Sequence, residues 1–220
     1  MIKDVEFPSE GATLRGLLFL PESQTKRLPV VIMAHGTSAT VSMVTDKYAE
    51  AFSRAGLAVL LYDHRNFGRS DGEPRQEINP WIQCRGYRDA LNFAERLDGV
   101  DPERFALWGD SYTGGQVIVV GAIFSAQSLA RVRIPAAIYE AELDRFVVPR
   151  FHAEWIARNL PGAGLHRVPN AWHFAFMDTP SMPIPSEDGD VGANPPGFDR
   201  QAFLHQLKQD LPVFFDNAFR

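Results

Sequence analysis

The sequence predicts an α/β protein: a doubly wound, mostly parallel sheet in one compact domain spanning residues 1–220. Three observations predict it. β-Branched apolar runs alternate along the chain with stretches of helical period, the order that builds a parallel sheet covered by helices. Phe105 to Trp108 is apolar without polar alternation, as a central strand covered on both faces is, and Leu28 to Ala34 is a β-branched apolar run. Both end abruptly in polar, glycine-bearing loops, His35-Gly36-Thr37-Ser38 and Gly109-Asp110-Ser111-Tyr112-Thr113-Gly114-Gly115. Strand ends of this kind face ligands in open α/β sheets.

In chain order, residues 2–7 and 12–20 read as an antiparallel hairpin around Pro8-Ser9-Glu10-Gly11, placed at an edge of the sheet. After a polar linker comes the strand Leu28 to Ala34. From Val44 to Ala55 the apolar spacing is helical, with Tyr48, Ala51, Phe52 and Ala55 on one face and Gly56 as the stop. Leu57 to Tyr62 is a strand that opens into the charged loop Asp63 to Gly72. Pro80 starts a helix over Trp81 to Leu97, and Asp101-Pro102 leads into the strand at Phe105. Gly115 to Phe124 reads as a helix buried all round, although its valines and isoleucines lean towards strand. Pro135 to Glu140 is a strand, Pro149 to Asn159 a helix and Leu165 to Val168 a short strand. Thr179 to Gly197, dense in prolines, acids and glycines, is an irregular surface excursion. Gln201 to Phe219 closes the chain as an amphipathic helix with Phe203, Leu204, Leu207, Leu211 and Phe214 inward and Pro212 as a point of kinking.

Composition narrows the function classes. A hydrophobic fraction of 45% and a net charge of −5 describe a soluble globular protein with no basic stripe for nucleic acid or anionic membrane. The first residues carry acids and no apolar signal core, and no apolar run approaches a membrane span, so the cytoplasm is the expected location. One cysteine, Cys84, allows no internal disulfide and no thiolate metal cluster. No metal-ligand spacing and no phosphate-binding glycine loop occurs, so neither a metal nor a cofactor is expected. Sixteen phenylalanines exceed what a core of this size requires, and some are expected to line an apolar pocket.

The chemistry centres on Ser111. A serine between small residues where a buried strand meets a helix is the pattern of a nucleophile elbow, in which a strained turn lifts the hydroxyl above the sheet. Gly109 supplies one small neighbour, whereas Thr113 stands where glycine is usual. Taken alone, the pentapeptide reads also as a glycine-flanked helix cap. Two later strand-end loops add Asp144 and His173, in the order serine, acid, histidine. Rival acids on the same turn are Glu140 and Glu142; it is the likeness of Asp144-x-x-Val147-Val148-Pro149 to a family acid segment, given below, that favours Asp144. Rival histidines, His152 and His166, fall within a helix and a strand.

With His35-Gly36, the Asp63-x-Arg65-x-x-Gly68-x-Ser70 loop, the Ser111 elbow, the Asp144-x-x-Val147-Val148-Pro149 segment and Trp172-His173-Phe174 in hand, the chain resembles the α/β-hydrolase superfamily over nearly its whole length. It is most similar to the dienelactone-hydrolase-related esterase branch. The resemblance implies a serine hydrolase acting on small-molecule carboxylic esters through an acyl-enzyme, with Ser111 as nucleophile, His173 as base and Asp144 orienting it. It also implies an oxyanion hole built from the backbone N–H groups of Thr37 and Tyr112. Amide or peptide hydrolysis is the alternative within the same chemistry, and a non-catalytic binding protein on the same fold is the alternative outside it. Only 33 residues separate Ser111 from Asp144, where family members commonly hold a further strand–helix unit and often a lid. A compact fold lacking that unit and a lid is therefore expected, with Asp144 on the strand directly beside the nucleophile strand. A homodimer is expected to cover the apolar surface this leaves.

Overall fold

The computed structural model describes residues 1–22, 26–43, 45–121, 134–178, 184–186, 189–190 and 192–220. They fall into two compact units, Met1–Val120 with Lys208–Arg220, and Gly121–Leu207.

The larger unit is built on a five-stranded sheet in the order β1-β2-β4-β3-β5. β1 (Ile2–Ser9) and β2 (Ala12–Phe19) form the edge hairpin, closed by Glu10 and Gly11 at φ +51° and +76°. β2 runs antiparallel to β4 (Ala58–Tyr62), and β3 (Leu28–Ala34) lies parallel to β4 on one side and to β5 (Val100–Gly109) on the other. The strand order reverses at β3, so the loops leaving β3 and β5 flank a topological switch point, where open α/β sheets bind ligands.

The unalternating run in β3 has a direct physical cause: Val30, Val31, Ile32, Met33 and Ala34 are each 0% exposed, because helices cover both faces of the sheet. Val30, Ile32 and Ala34 share one apolar cluster with Tyr87, Ala90 and Ala94 of α2 (Pro80–Ala94). Side chains alternate along a strand, so Val31 and Met33 face the other side. α1 (Asp46–Arg54) is held by Tyr48, whose ring lies 5.2 Å from Trp108, and by Phe52, 5.3 Å from Phe215 near the chain's end. Ala55, expected on the buried face of α1, is instead its exposed C-cap, because the helix stops one residue earlier. α2 starts where Pro80 directs it, and the Asn79 side chain accepts hydrogen bonds from the N–H groups of Trp81 and Ile82.

β5 departs from expectation. Its apolar run is only half-buried, and among the described residues β5 pairs with β3 alone. α3 (Tyr112–Gly121) follows the turn at Ser111 as expected, while the expected continuation over 122–124 lies outside the described residues.

The second unit carries β6 (Ala136–Ala141) and β7 (Ala163–Val168), paired in parallel from Ala136↔Ala163 to Ala141↔Val168. A 3-10 turn (Pro149–Phe151) and α4 (Ala153–Asn159) connect them; His152, at φ −120° and ψ −91°, splits the single helix expected there. Among the described residues, β6 pairs with β7 alone. The intervening helical connection makes β7 the local parallel partner. Ala141, Val168, Ala171 and Ala175 form the small core, with Tyr139, Phe176, Phe198 and Phe203 packed on it. Within 179–197, two two-residue strands, β8 (Pro185–Ser186) and β9 (Gly189–Asp190), pair with one another, and residues 179–183, 187–188 and 191 lie outside the description.

α5 (Arg200–Ala218) ends the chain with Leu204, Leu207 and Leu211 buried. Phe215, 4% exposed, takes the inward place expected for Phe214, since four residues on from Leu211 returns to the same face.

Candidate active site

Ser111 lies in the larger unit. Ser111 occupies the turn between β5 and α3 at φ +49°, a left-handed conformation that costs a non-glycine residue of order 1–3 kcal/mol. Two hydrogen bonds hold it there: the N–H of Thr113 donates to the carbonyl of Asp110 at 2.9 Å, and that of Gly114 to Ser111 at 3.1 Å. Gly109 is required by space, since a Cβ there would stand 2.5 Å from the carbonyl oxygen of Thr113. Thr113, the departure from the usual glycine, is fully buried. Its hydroxyl lies 2.8 Å from the carbonyl of Asp110 and 3.4 Å from that of Ala34, so the extra side chain ties the elbow to the end of β3. The Tyr87 hydroxyl donates to the carbonyl of Trp108 at 3.0 Å, bracing β5 just before the turn. Burial pushes that phenol's pKa well up, so it remains a donor.

The loop after β3 comes close to this elbow because Ala34 and Gly109 are register partners. A Cβ on Gly36 would lie 3.2 Å from the Cβ of Ser111, so glycine lets the backbone of this loop approach the serine. Thr37 follows, exposed, and Tyr112 is the first residue of α3. His35 lies beneath, 1% exposed. Its Nδ1–H donates to the carbonyl of Gly36 at 2.8 Å, and Nε2 accepts from the N–H of His64 at 3.4 Å. Burial lowers its pKa against the opposing pull of Gly36 and Asp63, and burial lowers that of His64 further. Both imidazoles are thus neutral props at neutral pH.

The sequence reading gave Asp63 no role of its own. Its carboxylate accepts the N–H of Val41 at 2.7 Å and that of Arg69 at 2.9 Å, tying the loop beyond β3 to the loop after β4. A buried acid directly after an apolar strand was the available signal.

Asp144 and His173 lie in the second unit. Asp144 sits three residues beyond β6 and His173 five beyond β7, on loops laced together by three bonds. The N–H of Glu142 donates to Val168 at 3.1 Å, that of Leu143 to Ala171 at 3.0 Å, and that of Asn170 to the Glu142 carboxylate at 3.0 Å. Across this lacing, Asp144 Oδ2 meets His173 Nδ1 at 2.7 Å, with the two side chains 8% and 14% exposed. Asp144 Oδ1 accepts the N–H groups of Phe146 and Val147 at 2.8 and 2.9 Å, which fixes the carboxylate before it meets the ring. A carboxylate on Nδ1 sets the tautomer and leaves Nε2 to exchange protons.

The rival residues are otherwise engaged. Glu140 is buried and accepts from Arg167 Nε at 2.7 Å, and Glu142 serves the lacing. His152 faces its own turn through the carbonyl of Val148, and His166 stacks on Tyr139 at 4.5 Å. Phe146 is one residue the sequence reading passed over: an exposed ring 5.4 Å from that of His173. Among the described residues, no cluster of three or more His, Cys, Asp or Glu could hold a metal ion. No described helix is long and apolar enough to cross a membrane.

A family model described as the alpha/beta hydrolase fold matches residues 29–124. A thiohydrolase of Aspergillus aculeatus is 34% identical over 218 residues, which is 98% of this chain and 64% of the relative. The chain thus spans less than two thirds of that protein's length. A polyketide transferase of Aspergillus fumigatus is 34% identical over 218 residues, 98% of this chain and 68% of the relative. Among solved structures, the alpha/beta hydrolase GrgF from Penicillium sp. sh18 superposes with a TM-score of 0.77 at 17% identity, covering 100% of this chain and 99% of that one.

Proposed function

The chain belongs to the α/β-hydrolase superfamily, and from that premise we propose that it is an acyl-transferring serine hydrolase that cleaves small-molecule esters through an acyl-enzyme on Ser111. The observation that carries this reading is the Asp144–His173 pair at 2.7 Å, because an imidazole oriented by a carboxylate is the device that activates a serine. In the first step the Ser111 hydroxyl oxygen bonds to the substrate's carbonyl carbon while its proton passes to His173 Nε2. Collapse of the tetrahedral intermediate breaks the bond to the leaving group, and the same proton goes to the leaving atom. Water then repeats the sequence on the acyl-enzyme and releases the acid. The N–H groups of Thr37 and Tyr112 are assigned to the oxyanion; the close approach of Gly36 to Ser111 supports this.

Relatives named thiohydrolase and polyketide transferase favour including thioesters among the electrophiles and an acceptor other than water. The dienelactone-hydrolase likeness supports the ester reading alone. Fluorophosphonate labelling tests the proposal: prompt labelling, lost in Ser111→Ala, is expected. A folded wild type that does not label overturns the enzyme reading in favour of a binding protein.

A further inference from the structure

Phe146 stands out among the chain's phenylalanines. It is 58% exposed, yet its backbone N–H is fixed on Asp144 Oδ1, the carboxylate whose other oxygen meets the imidazole. Its ring centroid lies 5.4 Å from His173 at an interplanar angle of 53°, and 5.7 Å from Phe174 at 62°. Phe174 closes the group, edge-on to His173 at 5.1 Å and 85°. The imidazole is therefore flanked by two aromatic rings, one of them exposing most of its surface. Large exposed aromatic surface fixed beside reactive groups gains from being covered by an apolar ligand.

We propose, resting on the acyl-enzyme reading above, that Phe146 with Phe174 forms the leaving-group subsite and selects esters or thioesters whose alcohol or thiol portion is apolar. The argument is one of chemistry. His173 hands its proton to the leaving oxygen or sulfur, so whatever that atom carries stands beside the imidazole and meets the rings flanking it. The acyl portion stays on Ser111. Phe146 thus acts during acylation, when a leaving group is present, and has no such partner during deacylation, when water takes that place.

Acetate esters with methyl, hexyl and phenyl leaving groups separate the two steps, because all three give the same acetyl-enzyme. In Phe146→Ala, kcat/KM for hexyl and phenyl acetate is expected to fall about tenfold or more relative to methyl acetate. Pre-steady-state bursts should place that loss in acylation rather than in hydrolysis of the acetyl-enzyme. Phe146→Leu, an apolar replacement at an exposed position, should recover hexyl acetate better than phenyl acetate. An equal loss on all three esters with slowed deacylation would mean that the ring merely props His173, and overturns the subsite. Unchanged selectivity overturns it too. Failure of the parent reading looks different, since the wild type would then form no acetyl-enzyme on Ser111 at all.

Discussion

Asp144 divides its two oxygens between tasks, and that division makes it sensitive to a single-atom change. Oδ1 takes two backbone N–H groups and Oδ2 takes the imidazole. Asp144→Asn replaces one acceptor by a donor, so either the turn or the histidine loses its partner. A fall in kcat of about 10³- to 10⁴-fold is expected, with labelling by fluorophosphonate slowed in parallel. Ser111→Ala and His173→Ala should each remove nearly all activity, and the double variant should be little worse because the members act as one unit. Additive losses, measured as kcat/KM on one ester, would show that the two do not share a mechanism. Thr113 makes a different point. Its buried hydroxyl joins the elbow to β3, so Thr113→Val should lower stability by about 1 kcal/mol in urea unfolding, the size of one buried hydrogen bond.

At the scale of elements, local patterns predicted β3 and β4 and the helices that cover them because each such pattern reports burial of its own residues. The same logic assigned Phe214 to the inward face of α5, one residue short of the ring that packs on Phe52. Truncation distinguishes the two. Phe215→Ala should cost about 3–5 kcal/mol, the range for a buried aromatic, and the half-buried Phe214 markedly less; urea midpoints of the paired variants check this. The apolar run of β5 predicts a central strand, and the structure leaves that run half-buried.

For the whole molecule, the buried imidazoles of His35 and His64 link stability to pH. Both are held below the ordinary histidine value by burial. Between the depressed values and about 6.5, the unfolded chain binds protons that the folded protein refuses. Their contribution is therefore fully present above about pH 6.5 and is lost as the pH falls below it, at up to about 1.4 kcal/mol per pH unit for each imidazole. Urea midpoints at pH 7.5, 6.5 and 5.5 should fall on acidification, and His64→Gln should flatten the fall. The homodimer expected from the short Ser111-to-Asp144 segment stands as a proposal. Sedimentation at micromolar concentration tests it, and a single species of monomer mass would remove it.

By itself the sequence determined the order of strands and helices, the strand ends at which polar loops begin, and the three loops bearing Ser111, Asp144 and His173. These follow from period, glycine placement and apolar runs, which act over a few neighbouring residues. Only the tertiary structure showed how Asp144, and not Glu140 or Glu142, is held against the histidine, because that depends on the lacing between the loops after β6 and β7. It also decided that Thr113 fills the place of glycine by bonding across to β3, that Asp63 ties two loops together, and that Phe146 stands beside the imidazole. Each depends on partners distant along the chain, and contacts of that kind leave no periodic trace in the residues that make them.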